Sequence, residues 1–209
     1  MKFILFVEGE TEYKVLPLFL KRWLDPQVNR SVGIAPVNLA GSSNFEAEIA
    51  QKARMYLNGA KRNEIIAAIG LADLYGFTSY PPHLHDMRGR YDWAKQKLQN
   101  KVGHSKFRQF FAVHELEAWL LSDSKIFPSQ IKNAIYKAAS NPEAVNFNQP
   151  PAVLLKKLYR EKLVNTEYNK VAYGVDLFKK LDPTIAYQKC PHLQEMLDEM
   201  LRLAKDSGN

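Results

Sequence analysis

Three glutamates follow directly on an apolar run near the start of the chain, in the segment FILFVEGETEY at residues 3–13. The apolar residues 3–7 predict a buried strand of a parallel sheet, because such strands are apolar on both faces. Glu8, Glu10 and Glu12 therefore stand where this strand gives way to a helix. Acids at a helix N-terminus interact favourably with the helix dipole, by about 0.3–1 kcal/mol each, so each one alone has a local structural explanation.

Further acids follow the other predicted strands. Asp73 ends the apolar run 65–72, and Glu115 and Glu117 follow the run 107–113. Because the carboxyl ends of parallel strands meet at one edge of a sheet, these acids and the first glutamates predict a common site. Neighbouring carboxylates raise one another's pKa unless a cation lies among them. Oxygen ligands suit Mg²⁺ or Mn²⁺, and such an ion beside basic surface predicts phosphodiester cleavage or transfer.

Apolar runs and helical patterns alternate along the first part of the chain. A further strand is predicted at 32–39, and helices at 11–23, from Ser43 to about 57 with a Ser43–Glu46 capping box, and up to about 102. This alternation predicts an α/β fold with a mainly parallel sheet flanked by helices. Only helical patterns follow, at 131–139, 153–163, 167–181 and 192–204. We therefore predict an α/β core over residues 1–125, with a helical region over residues 126–209 packed on it as a cap.

Composition restricts the class of protein. The chain has 209 residues, 46% of them hydrophobic, which is enough for a substantial folded core. No apolar run reaches the length of a membrane span, and acids interrupt the N-terminal apolar stretch where a signal peptide needs small residues. The single cysteine, Cys190, has no partner for an internal disulfide. These features favour a cytoplasmic protein without membrane association.

The chain is basic, with a formal net charge of +7, which favours a nucleic-acid partner. The basic residues concentrate in 86–108 and 153–189, and either patch serves equally well as a solvated helix face or as a binding surface. The candidate contacts to nucleic acid are Ser42, Ser43, Arg88, Arg90, Lys156, Lys157 and Arg160. The two serines lie at a predicted helix start, where backbone N–H groups favour a phosphate.

Other side chains could assist the acids. His114 has two equally supported roles. It serves as a general base or orients a ligand, or else it is a hydrogen-bonded histidine at a strand end. Lys170 is a candidate for stabilising the charge that develops on a phosphate. Tyr159, Tyr168 and Tyr173 lie among basic residues, where they serve equally well to stack on bases or to pack helices together.

Several motifs resemble known families. FVEGETE resembles the first motif of the Toprim domain of topoisomerases, bacterial primases and OLD-type nucleases, and VEGETEYKVLP resembles the OLD branch. HELEAWLLSD, at 114–123, resembles a signature of domain-of-unknown-function family 4276, which is linked with AbiL-type abortive infection. The segments 168–178 and 190–197 are similar to the same family. The resemblance implies a Toprim-like fold and a metal-dependent nuclease.

The resemblance also implies roles for individual residues. Glu8 matches the first-motif glutamate, a metal ligand or general acid/base, and Glu12 matches an additional acidic ligand. Asp73 matches the first aspartate of the Toprim DxD motif, and Tyr75 stands where the second belongs. This departure leaves three alternatives: a nearby glutamate replaces the lost ligand, a single metal binds, or the site binds without catalysis. Glu115 and Glu117 fall where OLD-type proteins carry further acidic ligands.

We therefore predict a metal-dependent nucleic-acid phosphodiesterase, with DNA favoured over RNA as substrate. The predicted ligands of Mg²⁺ or Mn²⁺ are Glu8, Glu12, Asp73, Glu115 and Glu117, and the predicted catalytic residues are Glu8, Asp73, His114 and Lys170. The resemblance implies phage defence with a separately encoded ATPase, because OLD enzymes carry an ATPase and no GxxxxGK[ST] motif occurs here. Two alternatives stay open: a non-catalytic module that binds nucleic acid or a partner ATPase, and an enzyme that acts on nucleotides or small phosphoesters.

Overall fold

The computed structural model describes residues 1–77, 79–135, 140–144, 149–163 and 166–208. The strands are β1 (Lys2–Val7), β2 (Gly33–Asn38), β3 (Ile65–Asp73) and β4 (Phe107–Ala112). They form one four-stranded sheet in the order β2-β1-β3-β4, and every pair is parallel. Helices flank the sheet and make up the C-terminal region, so the predicted α/β fold class is confirmed.

The helices follow the predicted pattern in most of the described chain. They are α1 (Glu10–Leu24), α2 (Ser42–Asn58), α3 (Met87–Val102), α4 (Glu117–Leu121), α5 (Ser129–Lys132), α6 (Pro151–Lys162), α7 (Val175–Lys180), α8 (Pro183–Lys189) and α9 (Pro191–Ser207). Of the predicted helix 131–139, only residues 131 and 132 are helical and residues 133–135 form a turn, so the prediction is wrong there, and residues 136–139 lie outside the described residues. None of these helices has the length and apolar character needed to cross a bilayer.

The prediction of one helix over 167–181 is wrong. The chain is not helical from 166 to 169, and a π-helix, Lys170–Gly174, leads into α7. Asn169 causes this break, because its side-chain oxygen accepts hydrogen bonds from the backbone N–H groups of Val171 and Ala172, each of 2.9 Å. The break places Lys170 at the very start of the new helical segment.

The start of α2 also differs from the prediction. The helix begins at Ser42, after Gly41, which has a φ of 110° that favours glycine. No side chain caps it, so the predicted capping box between Ser43 and Glu46 is wrong. Glu46 instead accepts a hydrogen bond of 2.6 Å from Lys97 on α3, which occupies its carboxylate.

Strand β1 lies inside the sheet, and residues 3–7 are almost completely buried. Burying a large apolar side chain of this kind contributes about 1.5–3 kcal/mol. One core cluster joins this sheet to α1 and to the C-terminal helices, with Leu197 and Met200 of α9 among its members. The C-terminal helices therefore share the core of the sheet. The division at residue 125 stays a prediction.

The order of the strands places a crevice between β1 and β3. The chain leaves β1 towards β2 and leaves β3 towards β4, in opposite directions across the sheet. Accordingly, Leu16 and Phe19 of α1 belong to the core on one face, and Ala94 and Leu98 of α3 to the core on the other. The carboxyl ends of β1 and β3 thus flank the topological switch point, where open α/β sheets bind their ligands.

Candidate functional site

Glu8 and Asp73 lie on the two sides of this switch point. The backbone N–H of Asp73 donates a hydrogen bond of 3.3 Å to Glu8 Oε1. Burial raises the pKa of Glu8 to about 7, the bond from Asp73 opposes this, and the charge of Glu12 adds to it. Burial, Glu12 and Glu8 together raise the pKa of Asp73 well above its ordinary value. Glu8, Glu12 and Asp73 therefore interact electrostatically, and we refer to them as the acid cluster.

The first turn of α1 separates the three N-terminal glutamates. Glu12 is half-buried beside Gly9, where an added Cβ would lie 2.6 Å from Glu12 Oε2. Glu10 is exposed and forms an ion pair of 3.0 Å with Lys14. Glu8 and Glu12 therefore belong to the acid cluster, and Glu10 is engaged outside it.

Glu115, Glu117 and Lys170 form a second group, which we call the ion triad. The ammonium of Lys170 lies 3.1 Å from Glu115 Oε1 and 3.2 Å from Glu117 Oε2. Burial raises the pKa of Glu117, and Lys170 opposes it. Burial lowers the pKa of Lys170, but the charges of Glu117, Asp73 and Glu115 outweigh this and raise it. Since Lys170 acts on Asp73 as well, the triad and the acid cluster are electrostatically connected.

Neighbouring residues hold the ion triad in place. The backbone N–H of Ala152, in the first turn of α6, donates a hydrogen bond of 3.0 Å to Glu115 Oε2. The hydroxyl of Tyr168 donates one of 3.3 Å to Glu117 Oε1. Gly174 permits close packing, because an added Cβ would lie 3.3 Å from the Tyr168 oxygen and 3.6 Å from Thr11 Cγ2. The π-helix thereby abuts the first turn of α1.

The acid cluster suits a divalent cation by type and charge. Its donors are carboxylate oxygens, the hard ligands that Mg²⁺ and Mn²⁺ prefer. Glu8 and Asp73 have raised pKa values that a nearby cation would lower. Among the described residues, no three His, Cys, Asp or Glu side chains converge closely enough to form a ready metal centre. The residues therefore fit the ion chemically, and the side chains of the cluster have to draw together to hold it.

His114 is committed to a structural contact on one side of its ring. The side chain is buried, and its Nε2 donates a hydrogen bond of 3.2 Å to the carbonyl of Ala144. Burial lowers its pKa. Its φ of 66° lies in the left-handed region, which costs a non-glycine residue free energy. The turn made by His114 redirects the chain after β4, so that Glu115 and Glu117 enter the ion triad.

Ser42 lies against the same edge, through Gly76. A Cβ added at Gly76 would lie 3.4 Å from Ser42 Cβ and 3.6 Å from Glu8 Oε2. The N–H of Gly41 donates a hydrogen bond of 2.7 Å to the backbone carbonyl of Glu8. The start of α2, and with it Ser43, is therefore anchored beside the acid cluster, and the binding of a phosphate by the two serines stays a prediction.

The basic candidates lie on two helices. Arg88 and Arg90 belong to the first turns of α3, and Arg88 is largely exposed. Lys156, Lys157 and Arg160 are exposed on α6.

The tyrosines that the sequence left open divide between packing and exposure. Tyr159 and Tyr168 are buried, with ring centroids 5.4 Å apart, so they pack helices together. Tyr173 is exposed on one side, and its ring also packs against that of Tyr159, with centroids 5.3 Å apart.

Two contacts of the site were not anticipated from the sequence. Tyr168 was considered for stacking or packing, and the structure adds its bond to Glu117. The N–H of Ala152 carries no side-chain signal, although Pro150 and Pro151 mark a helix start, where unpaired N–H groups attract a carboxylate.

Together these features define the class: a parallel four-stranded α/β protein whose acids, from the ends of β1 and β3 and the turn after β4, gather at the carboxyl edge of the sheet. The model for DUF4276, a domain of unknown function, matches residues 7–201, and the chain belongs to this family. No curated protein matches it.

Solved structures give a more distant similarity. The C-terminal region of the Burkholderia pseudomallei OLD protein is 17% identical, with 96% of this chain and 98% of that one covered and a TM-score of 0.48. The C-terminal region of the Xanthomonas campestris pv. campestris OLD protein is 16% identical, with 95% of each chain covered and a TM-score of 0.41. Neither similarity assigns a residue role or an activity to this chain.

Proposed function

We propose that this protein is a metal-dependent nucleic-acid phosphodiesterase with a Toprim-like acidic site. The observation that carries the proposal is that Glu8 and Asp73 meet across the switch point, where the backbone N–H of Asp73 donates a hydrogen bond of 3.3 Å to Glu8 Oε1. Burial and neighbouring acids raise the pKa of both carboxyl groups. Acids that repel one another in a partly buried site are costly without a cation. The basic net charge of +7 supports a polyanionic substrate.

Glu8, Glu12 and Asp73 would hold the ion, Mg²⁺ or Mn²⁺, with Glu115 and Glu117 nearby. When bound, a divalent cation supplies activation of water and stabilisation of charge on a phosphoryl oxygen. Hydrolysis joins the oxygen of water to phosphorus and breaks the bond to the leaving oxygen. Glu8 has one of two roles: it is a ligand of the ion, whose charge then lowers its pKa, or it accepts the proton that the water gives up, for which its pKa of about 7 in the metal-free protein is suited.

Other groups of the chain would orient the substrate. The backbone N–H groups at the start of α2 form the N-terminus of a helix, which favours a phosphate. The ammonium of Lys170, held by Glu115 and Glu117, stabilises negative charge as it develops on the phosphate. His114 contributes by turning the chain into the ion triad, and its Nε2 is occupied by Ala144.

Cleavage assays test the proposal directly. Purified protein is incubated with supercoiled plasmid, single-stranded DNA or RNA, in Mg²⁺, Mn²⁺ or EDTA. We expect metal-dependent cleavage that Glu8→Gln and Asp73→Asn each abolish. Glu10→Gln is the matched control, because Glu10 lies between Glu8 and Glu12 in sequence but pairs with Lys14 at 3.0 Å. Equal cleavage by all three variants would overturn the assignment of the site.

A specific observation favours a second candidate, a non-catalytic module that binds nucleic acid or a partner ATPase. Lys170 already neutralises Glu115 and Glu117, and Tyr75 replaces the second DxD aspartate. On this hypothesis no substrate is cleaved, and Glu8→Ala weakens binding alone. The absence of cleavage, together with weaker binding in Glu8→Ala, distinguishes this candidate. Thermal denaturation with Mn²⁺ tests the ion site itself, since an ion that binds only the native state raises the melting temperature. We expect stabilisation in millimolar Mn²⁺ that Asp73→Asn removes.

We extend the proposal to a role in phage defence with a separately encoded ATPase. This extension rests on the resemblance of VEGETEYKVLP and HELEAWLLSD to the OLD and AbiL-related motifs. Cleavage that appears only on addition of such an ATPase would support it. Full activity of the purified chain, unchanged by the ATPase, would contradict it.

A further inference from the structure

A pocket of about 450 Å³ opens beside the acid cluster, in the segment that follows β3. Three aromatic residues, Tyr75, Phe77 and Tyr80, line it together with leucines and prolines, and Arg90 contributes a positive charge. This volume lies within the range of about 300–1,000 Å³ that is typical of ligand pockets. Nothing in the proposed hydrolysis makes use of it.

The floor of the pocket is built as a rigid surface. Phe77 is buried, and its ring packs edge-on against Phe111 of β4, with centroids 5.8 Å apart. Tyr80 contacts Phe77 at 5.5 Å and donates a hydrogen bond of 2.9 Å to the carbonyl of Leu74. The guanidinium of Arg90 lies over the Tyr80 ring, 5.2 Å from its centroid. These contacts fix the aromatic faces before any ligand arrives.

Tyr75 differs from the other rings because 47% of it is exposed. Its backbone N–H donates a hydrogen bond of 3.2 Å to the carbonyl of His114, which ties this part of the pocket to the turn after β4. Phe77 is buried and Tyr80 is half-buried, so packing accounts for both rings, whereas Tyr75 presents its ring to solvent. An exposed aromatic face in a pocket that also contains a guanidinium suits a flat aromatic ligand.

The pocket adjoins the proposed phosphate site. A Cβ added at Gly76, the residue after Tyr75, would lie 3.4 Å from Ser42 Cβ and 3.6 Å from Glu8 Oε2, so Tyr75 is one residue away from a position that borders both. A nucleotide carries its phosphate and its base on the same sugar, so a phosphate at the acid cluster would bring its base towards this pocket. A base within an intact duplex is paired and stacked, so its face is not available to such a pocket.

We propose that this pocket binds one unpaired nucleobase of a single-stranded nucleic acid, whose adjacent phosphate lies at the acid cluster. The proposal rests on the proposed function for the nature of the substrate. Tyr75, at the position where the DxD motif has its second aspartate, stacks on the base, and Arg90 adds positive charge beside it. The site then selects single strands over duplexes.

Binding measured in Ca²⁺ tests the pocket without relying on cleavage, because Ca²⁺ accepts carboxylate ligands and neutralises the acid cluster, which would otherwise repel the phosphate. The probes are a fluorescent single-stranded DNA oligonucleotide, an abasic oligonucleotide with the same number of phosphates, and the corresponding duplex, followed by fluorescence anisotropy. We expect the base-bearing strand to bind about 5- to 160-fold more tightly than the abasic strand, the range typical of stacking on one base. Tyr75→Ala should remove most of this difference and leave abasic binding unchanged.

Tyr13→Ala is the control, because Tyr13 is similarly exposed, at 42%, but lies on α1 outside the pocket. It should retain the preference for the base-bearing strand. Equal binding of abasic and base-bearing strands by the unmodified protein, or a preference that survives Tyr75→Ala, would overturn the pocket. Failure of the proposed function has a different signature: a base preference that depends on Tyr75, together with no cleavage of any substrate in Mg²⁺ or Mn²⁺.

Discussion

Lys170 places its ammonium 3.2 Å from Glu117 Oε2, on a carboxylate whose side chain is only 4% exposed. A buried carboxylate without a partner is strongly destabilising, so the ion pair with Lys170 offsets the cost of burying the charge of Glu117. The ammonium also lies 3.1 Å from Glu115. Lys170 thus provides a positive charge to Glu115 and Glu117. Among the described residues, the acid cluster forms no ion pair with a lysine or arginine.

Replacing Lys170 by methionine should therefore destabilise the protein at neutral pH. Loss of one partner of a fully buried pair costs about 3–5 kcal/mol, and the partial exposure of Lys170 lowers our expectation to about 1–3 kcal/mol. Burial raises the pKa of Glu117, so protonation in acid removes the unpaired charge. The loss in free energy of unfolding should thus be smaller at pH 5 than at pH 8, as measured by urea denaturation.

Lys179→Met is the control for this experiment. Lys179 is exposed, and its ion pair of 3.2 Å with Asp176 is a surface contact, which contributes little. A stability equal to that of the unmodified protein is expected at both pH values. If Lys170→Met behaved in the same way, the ion triad would have no energetic role.

The pKa of Glu8 predicts a pH dependence of stability in metal-free protein. Burial raises it from 4.5 to about 7. Because the native state then binds more protons than the unfolded state, stability is fully present below pH 4.5 and decreases as the pH rises through 7. The loss amounts to at most about 3 kcal/mol. Urea denaturation in EDTA between pH 4.5 and 8 measures it.

Glu8→Gln should remove this part of the pH dependence, so the variant should be the more stable protein at pH 8. Glu10→Gln keeps the acid cluster intact and should follow the profile of the unmodified chain. Parallel profiles for Glu8→Gln and the unmodified chain would contradict the assignment of a raised pKa to Glu8.

The strand ends could be predicted from the sequence, because continuous apolar runs such as residues 3–7 and 65–72 have few alternatives to a buried strand. Once the strands are parallel, their carboxyl ends share one edge, and the meeting of Glu8 with Asp73 follows from topology. The proposed roles of Glu12, Glu115 and Glu117 rest on motif resemblance and on their position after a strand.

The π-helix and the ion triad could not be predicted in the same way. The apolar spacing of 167–181 suits one helix, and only the side-chain bonds of Asn169 to the following N–H groups interrupt it. The capping box failed because Lys97, distant in sequence, binds Glu46. The first error overlooks a local signal, because asparagine caps a helix through bonds to the N–H groups that follow it, and the second comes from a contact between residues distant in sequence.

Gly9→Ala should weaken ion binding without unfolding the protein. The φ of Gly9 is −138°, which alanine adopts freely, but the new Cβ would lie 2.6 Å from Glu12 Oε2 and displace that flexible carboxylate. We expect a lower affinity for Mn²⁺ by titration calorimetry and an unchanged melting temperature in EDTA. Gly76→Ala is the control, because its Cβ would lie 3.6 Å from Glu8 Oε2, an ordinary contact. An unchanged Mn²⁺ affinity in Gly9→Ala would exclude Glu12 as a ligand.

The exposed lysines of α6 should contact the phosphate backbone. The amide of Ala152 at the start of this helix bonds to Glu115, so Lys156 and Lys157 extend from the edge that carries the acids. Alanine at both positions should reduce the slope of log K against log salt for single-stranded DNA by about 1.4, since each phosphate contact contributes about 0.7. The control is the exposed pair Lys179 and Lys180 on α7, whose replacement should leave the slope unchanged. Equal slopes for both double variants would place the nucleic acid elsewhere on the surface, because a lysine that contacts a phosphate releases a counterion and a lysine that only faces solvent does not.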